Sequence, residues 1–323
     1  MQTPTTRIND FLAAAKPYLT DGGLETTLIF HYELDLPCFA AFPLIDTHEG
    51  RGHLERYYES FVKLALKSRT GFVLDAPTWR ASPEWGAELG YGSDDLARVN
   101  RESVEFTHFL RNKWETKTTP ILVNGVIGPR GDGYISEEAM SRDEAEAFHA
   151  PQILALADGG VDLVTAVTMT NAAEAVGIAR AAISRDVPVV ISFTVETDGC
   201  LPSGLALKDA ITEVDDATGG SILYFMINCA HPDHYSDKVA GGDAWRLRLG
   251  GLRSNASRLS HAELDNAETL DAGDPDEFGR LHQDLTNQLP NIRVLGGCCG
   301  TDDRHIRCVA HHNTPSHTNE HRT

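Results

Sequence analysis

The chain has 323 residues, 41% hydrophobic and 23% charged; this is ordinary globular usage, which excludes a disordered or fibrous protein and allows a sizeable core. Lys and Arg number 28 against 47 Asp and Glu, a formal net charge of −19, which argues against nucleic acid and anionic membrane surfaces as partners. Six cysteines are too sparse for a disulfide-stapled secreted scaffold; with no signal-like apolar stretch after the start and no run of 18 apolar residues, a cytoplasmic protein with reduced thiols and no membrane span is expected.

The first strand is expected at residues 18–23, followed by a long loop over 24–50 that covers part of the active-site end. Leu54, Tyr58, Phe61 and Ala65 then fall at helical spacing before a second strand at 71–79. Ser93 is placed to cap a helix carrying Leu96, Val99, Phe106, Leu110 and Trp114. A third strand is expected at 120–128. Ser141 to Glu144 fits a capping box, and Pro151 is expected to kink or split the helix it opens. The fourth strand covers 161–170, with Asn171 starting the next helix, and the fifth covers 188–196. The sixth and a weak seventh are read at 222–230 and 248–256. A helix over 276–289 leads to the eighth, at 292–300. Residues 311–323 read as a polar, frayed tail beyond a domain of residues 1–310.

Most of these strands are near-continuous apolar runs, the pattern of strands buried on both faces of a parallel sheet. Eight strand–helix alternations in this length predict a single α/β domain, a (β/α)8 TIM barrel. An open doubly wound sheet is the competing arrangement. No Gly-x-Gly-x-x-Gly follows a strand and no P-loop occurs, which weakens a nucleotide-binding version.

In a barrel of this kind the chemistry sits at the C-terminal strand ends. Those ends deliver Asp21, Gly22, Gly23 and Glu25; Asp75, Thr78 and Trp79; Asn124 and the loop 128–133; Thr194 and Glu196; Asn228 and Cys229; and Cys298 and Cys299. Any one cysteine is ordinarily a small buried hydrophobe. Three at strand ends are different. Strands six and eight are separated by one strand, and Cys298 and Cys299 lie between Gly297 and Gly300, so all three thiolates can face one point. Three thiolates with one open position make a catalytic zinc arrangement. Such a soft site suits a sulfur ligand and would ionise a bound thiol, so thiol alkylation is the favoured chemistry. Cys38, Cys200 and Cys308 have no such partners and read as structural. None of the seven lysines lies at a strand end, which argues against a Schiff-base aldolase. A phosphate-binding barrel using Gly250, Gly251, Gly296 and Gly297 is a rival reading, as is a barrel that binds a ligand without chemistry.

These residues resemble the zinc-dependent homocysteine S-methyltransferases. The resemblance lies in Asp21-Gly22-Gly23 with Thr26, in the run GVIGPRGD from Gly125 to Asp132, in Ser192-Phe193-Thr194, in Asn228-Cys229, and in GGCCGT from Gly296 to Thr301. It implies a TIM barrel, one zinc ion on Cys229, Cys298 and Cys299, and methyl transfer to a homocysteine-like thiol, giving methionine. One departure stands out. The family's Phe-Glu-Thr-x-Pro after strand four is replaced here by Ala166-Val167-Thr168-Met169-Thr170, so Val167 stands where a carboxylate would hold the acceptor's amino group. Glu25, Asp75 and Glu196 are candidates for the missing charge, and Asp21 is the favoured partner of the amine. The substrate-binding set expected is Asp21, Gly22, Gly23, Glu25, Trp79 and Asn228, with Asn228 orienting Cys229 or a substrate group. The family's donors are sulfonium compounds, betaine or folate-linked methyl groups. No cobalamin or folate module is expected from a chain of this length, which favours a small onium donor: S-methylmethionine, S-adenosylmethionine or a betaine. Trp79, Tyr134, Trp85 and Phe193 are candidate stacking partners for such a cation. The partners expected are thus a thiol acceptor and an onium donor. The oligomeric state is left open, a homo-oligomer included.

Overall fold

The computed structural model describes residues 2–135 and 140–313. Its core is a closed barrel of eight parallel strands paired in sequence order, β1 to β8, with β8 returning to β1. The strands are β1 (Tyr18–Leu19), β2 (Phe72–Asp75), β3 (Ile121–Ile127), β4 (Leu163–Met169), β5 (Val189–Phe193), β6 (Phe225–Asn228), β7 (Leu249–Ser254) and β8 (Val294–Gly297). Closure excludes the open doubly wound sheet. Each strand is shorter than the apolar run that signalled it, and so the polar residues at the ends of those runs sit just past the strands, in the loops.

Helices wrap the barrel: α1 (Pro4–Leu12), α2 (Leu24–Phe30), α3 (His48–Ser68), α4 (Pro83–Glu88), α5 (Ser93–Trp114), α6 (Arg142–Gly159), α7 (Ala172–Ile183), α8 (Leu207–Thr218), α9 (Pro232–Val239), α10 (His261–Asp265), α11 (Pro275–Gln288) and α12 (Asp303–Asn313). The start signals of α6 and α7 are in place. Ser141 Oγ accepts from the Glu144 N–H at 3.3 Å and the Glu144 carboxylate accepts from the Ser141 N–H at 2.9 Å. Asn171 Oδ1 accepts from the Glu174 N–H at 2.9 Å.

Several local expectations are corrected. Helix α5 begins one residue earlier in its cap, at Gly92, whose N–H bonds the Asp95 carboxylate; Ser93 is already helical. Pro151 does not split α6, which runs unbroken from Arg142 to Gly159; its neighbours Gln152, Ile153, Ala155 and Leu156 are buried, and that packing outweighs one lost backbone bond. The segment 24–50 is largely helical: α2 is followed by 3-10 turns at Pro37–Phe39 and Phe42–Asp46. Helix α12 extends to Asn313, past the expected end of the domain at residue 310, and residues 314–323 of the expected tail lie outside the described residues.

Helix α1, which no apolar run announces, closes the N-terminal mouth of the barrel. Phe11 is fully buried there, its ring 4.9 Å from that of Tyr18 and 6.0 Å from that of Tyr224. Val73, Leu122, Leu163, Val190 and Val294 fill the interior above them. The apolar plug leaves the opposite, C-terminal mouth as the open end. Among the described residues no helix is long and apolar enough to cross a membrane.

Candidate active site at the C-terminal end of the barrel

A cavity of about 480 Å³ opens at that mouth, within the usual range for small-molecule sites. Cys229, one residue past β6, and Cys298 and Cys299, directly after β8, converge on its floor, with their sulfur atoms all within 4.8 Å of one another. Cys229 and Cys298 are joined as a disulfide, where the sequence predicts reduced thiols. Their Cα atoms are 5.3 Å apart, so the convergence that aims three sulfurs at one point also brings two of them within bonding reach. Cys299 is a free thiol, and burial pushes it up to about 11. The Tyr134 hydroxyl donates to its sulfur at 3.3 Å. In the reduced state the donor set suits an open tetrahedral zinc site: three soft sulfurs, with no fourth ligating side chain in the cluster among the described residues.

The backbone around these cysteines is held in place. Cys229 has φ 53°, an uncommon conformation outside glycine. Its carbonyl accepts from Asn255 Nδ2 at 3.0 Å and from His261 Nε2 at 2.8 Å, and His261 Nδ1 is 2.9 Å from the Glu196 carboxylate. The Tyr134 ring stacks on His261, centroids 4.0 Å apart. Glu196 and Thr194 therefore support the Cys229 loop from outside and do not line the cavity. Gly23 has a different purpose from permissive torsion. A Cβ on it would meet the Cys298 carbonyl oxygen at 2.7 Å, and one on Gly22 would meet the Thr301 carbonyl at 2.7 Å. The two glycines let the turn after β1 lie flat against the cysteine turn after β8.

Asn228 ties three strands together beneath the cysteines. Its Oδ1 accepts from the Thr168 N–H at 2.9 Å and from Ser192 Oγ at 2.6 Å, and its Nδ2 donates to Thr168 Oγ1 at 2.9 Å. Thr168 sits at an irregularity of β4 with φ 61°, costly for a β-branched residue. Val167, beside it, lines the cavity with a neutral side chain.

Asp21 and Asp75 are brought together, but by a residue the sequence reading overlooked. Arg253 of β7 is half-buried between them: its Nη2 lies 2.5 Å from Asp21 Oδ1, its Nη1 bonds Asp75, and its Nε donates to the Gly297 carbonyl at 3.1 Å. Tyr57 Oη adds a contact of 3.1 Å to the other oxygen of Asp21. Burial pushes the Asp21 carboxyl up to about 6 despite the guanidinium beside it. Asp75 also accepts from Asn124 Nδ2 at 2.7 Å; Asn124 lies within β3, below the cavity. A lone arginine in an apolar strand was the available signal for this arrangement.

Glu25, in the first turn of α2, lines the cavity with no side chain bonded to it among the described residues. Trp79 lines it too, and the Arg80 guanidinium lies 4.7 Å from the Trp79 ring and 3.9 Å from that of Trp85, also bonding the Cys38 carbonyl. Trp85 and Phe193 are not cavity residues, contrary to expectation: Trp85 is covered by Arg80, and Phe193 is fully buried 6.2 Å from Phe225. Thr78 bonds the backbone of Val126. Gly250 and Gly251 face the side chains of Tyr224 and Met226 in the barrel interior, not a phosphate cradle, and the charge of Arg253 is already matched by two carboxylates.

The family model for homocysteine S-methyltransferase matches residues 18–312. The chain belongs to the homocysteine S-methyltransferase family. Members of that family are methyltransferases, and the relatives agree along most of their length. The homocysteine S-methyltransferase of Escherichia coli is 27% identical over 275 residues, covering 80% of this chain and 81% of the relative. Homocysteine S-methyltransferase 2 of Arabidopsis thaliana is 22% identical, covering 94% of this chain and 95% of its own. The metallated form of the E. coli homocysteine methyltransferase MmuM shares the fold with a TM-score of 0.72 at 20% identity, covering 94% of this chain and 99% of that one. Its oxidised form gives 0.73 at 19% identity, with 94% and 98% covered. The barrel expected from the sequence is thus the fold of the family.

Proposed function

We propose that the protein transfers a methyl group from a small onium donor to the thiol of homocysteine, giving methionine. Cys229, Cys298 and Cys299, when reduced, hold one zinc ion. The observation that carries this reading is the convergence of three sulfurs within 4.8 Å on the floor of a closed-barrel cavity. A zinc ion on three thiolates supplies the Lewis acidity that keeps a substrate thiol ionised at neutral pH. A reducing compartment, the cytoplasm, suits a site that needs all three cysteines free.

The chain's own residues bind and orient. The cavity walls carry the carboxyl groups of Asp21, Glu25, Asp75, Asp132, Asp265 and Asp271 against the guanidinium groups of Arg80 and Arg253. That excess of negative charge favours a cationic donor such as S-methylmethionine, S-adenosylmethionine or a betaine. Asn228 and Thr168 fix the floor, and Tyr134 holds Cys299. With the thiol proton released to solvent, the acceptor sulfur attacks the donor methyl in line. A new S–C bond forms as the onium–methyl bond breaks, and the donor leaves neutral with the electron pair, so no general acid is needed. Alignment of the two substrates supplies much of the rate.

A matrix of onium donors against thiol acceptors, run on reduced, zinc-supplemented protein with products identified by mass, tests the reading. Methionine from homocysteine and at least one onium donor is expected. No methylated thiol from any pair would remove it. Cys298→Ala is expected to lose both bound zinc and turnover, and turnover retained in that variant would refute the thiolate-held metal.

A further inference from the structure

Val167 leaves a gap in charge that the cavity fills elsewhere. Asp21 and Asp75 are both committed to Arg253. Asp132 faces Arg80 at 3.8 Å and accepts from the Tyr134 N–H at 2.7 Å. Asp265 and Asp271 are exposed at the rim, and Asp271 already accepts from Ser257 Oγ at 2.6 Å. Glu25 is different. It is half-buried, lines the cavity, and makes no ion pair or side-chain hydrogen bond among the described residues; the guanidinium groups of Arg80 and Arg253 act on it only at longer range. Cys229, Cys298 and Cys299 line the same cavity. A partly buried carboxylate with no cation bonded to it directly is unfavourable until one arrives. The cation expected there is the one the neutral side chain of Val167 cannot pair.

We propose that Glu25 reads the ammonium group of the amino-acid acceptor, replacing from the β1–α2 turn the carboxylate that β4 lacks at Val167. The assignment rests on the homocysteine reading above and specifies its substrate as an α-amino thiol. It makes Glu25 a specificity-determining residue of this chain, because a desamino thiol of the same length offers it nothing to pair.

The test is equilibrium binding of L-methionine, the expected product, against 4-(methylsulfanyl)butanoate, the same molecule without its amine, measured by calorimetry on the reduced full chain. Wild type is expected to prefer L-methionine by about ten- to a hundredfold, the range of a charge-assisted bond. Glu25→Gln is expected to bind the two ligands about equally, and Glu25→Gln combined with Val167→Glu to regain the preference. A Glu25→Gln variant that keeps the wild-type preference overturns the assignment, as does a wild type that binds both ligands equally. If wild type binds neither ligand, the acceptor reading itself falls and takes Glu25 with it. Melting curves of each variant confirm that the barrel is intact.

Discussion

Asn228 grips Thr168 from two directions, accepting from its backbone N–H and donating to its hydroxyl, each at 2.9 Å. The pairing crosses from β6 to β4 and holds a β-branched residue at φ 61°. It therefore fixes both the irregularity that presents Val167 and the turn that presents Cys229.

Asn228→Ala removes both bonds and the one from Ser192, leaving buried donors unpaired. A stability loss of about 1–3 kcal/mol is expected by urea denaturation. Turnover is expected to fall further than stability alone explains, because Cys229 loses its neighbour's anchor. Ser192→Ala, which removes one bond of the same set, is expected to cost less on both readouts.

Arg253 holds two carboxylates that would otherwise face each other in a buried space. Arg253→Met is expected to destabilise the protein by about 3–5 kcal/mol near pH 7.5. The loss is expected to shrink towards pH 5, since the Asp21 carboxyl lies at about 6 with Arg253 in place and protonates more readily without it. Denaturation at the two pH values checks the sign. Arg253→Lys is expected to recover little, because one ammonium cannot bond two carboxylates and a carbonyl at once.

Glu25 gives a pH effect of the opposite kind from a stabilising ion pair. Burial pushes its carboxyl up to about 7. A group raised in the folded state favours folding below its unfolded value, and that contribution is lost as pH rises through the folded one. Glu25→Gln should thus melt higher than wild type at pH 8, by on the order of 1 kcal/mol in stability, and about equally at pH 4.5. Thermal melts at the two values read it directly. A binding residue that lowers stability in the empty site is the expected signature of a function-bearing charge.

Gly23→Ala places a methyl group against the Cys298 carbonyl oxygen, 2.7 Å away. Backbone must move, and the movement falls on a proposed metal ligand. Zinc stoichiometry below one per chain, with a stability loss of about 1–3 kcal/mol, is expected. Gly52→Ala, inside helix α3 where a Cβ meets nothing within 4 Å, is the control: zinc stoichiometry should be unchanged and stability should rise by about 0.5–1 kcal/mol through helix propensity.

The barrel was legible because its strands are buried on both faces and therefore read as uninterrupted apolar runs. Helix α1 was not legible, because it buries only a narrow stripe around Ile8 and Phe11 in an otherwise polar segment. The cysteine cluster could be read because Cys229, Cys298 and Cys299 end strands that the barrel must bring near one another. The state of those cysteines could not: pairing of Cys229 with Cys298 depends on a 5.3 Å Cα separation that no spacing encodes. The polar walls were half legible. Asp21 and Asp75 were placed correctly at strand ends, but their commitment to Arg253 depends on register across the closed sheet, where Arg253 pairs with Asn228 on one side and Gly296 on the other. Trp79 lines the cavity, while the guanidinium beside it comes from its own neighbour, Arg80.

The central claim is that three cysteine thiolates hold a zinc ion on which methyl transfer to homocysteine depends. Its most direct test is the rate of methionine formation by the reduced protein before chelation, after chelation, and after one equivalent of zinc is returned. The account predicts a rate abolished by the chelator and restored by zinc. A chelated, metal-free protein that forms methionine at the original rate would contradict it.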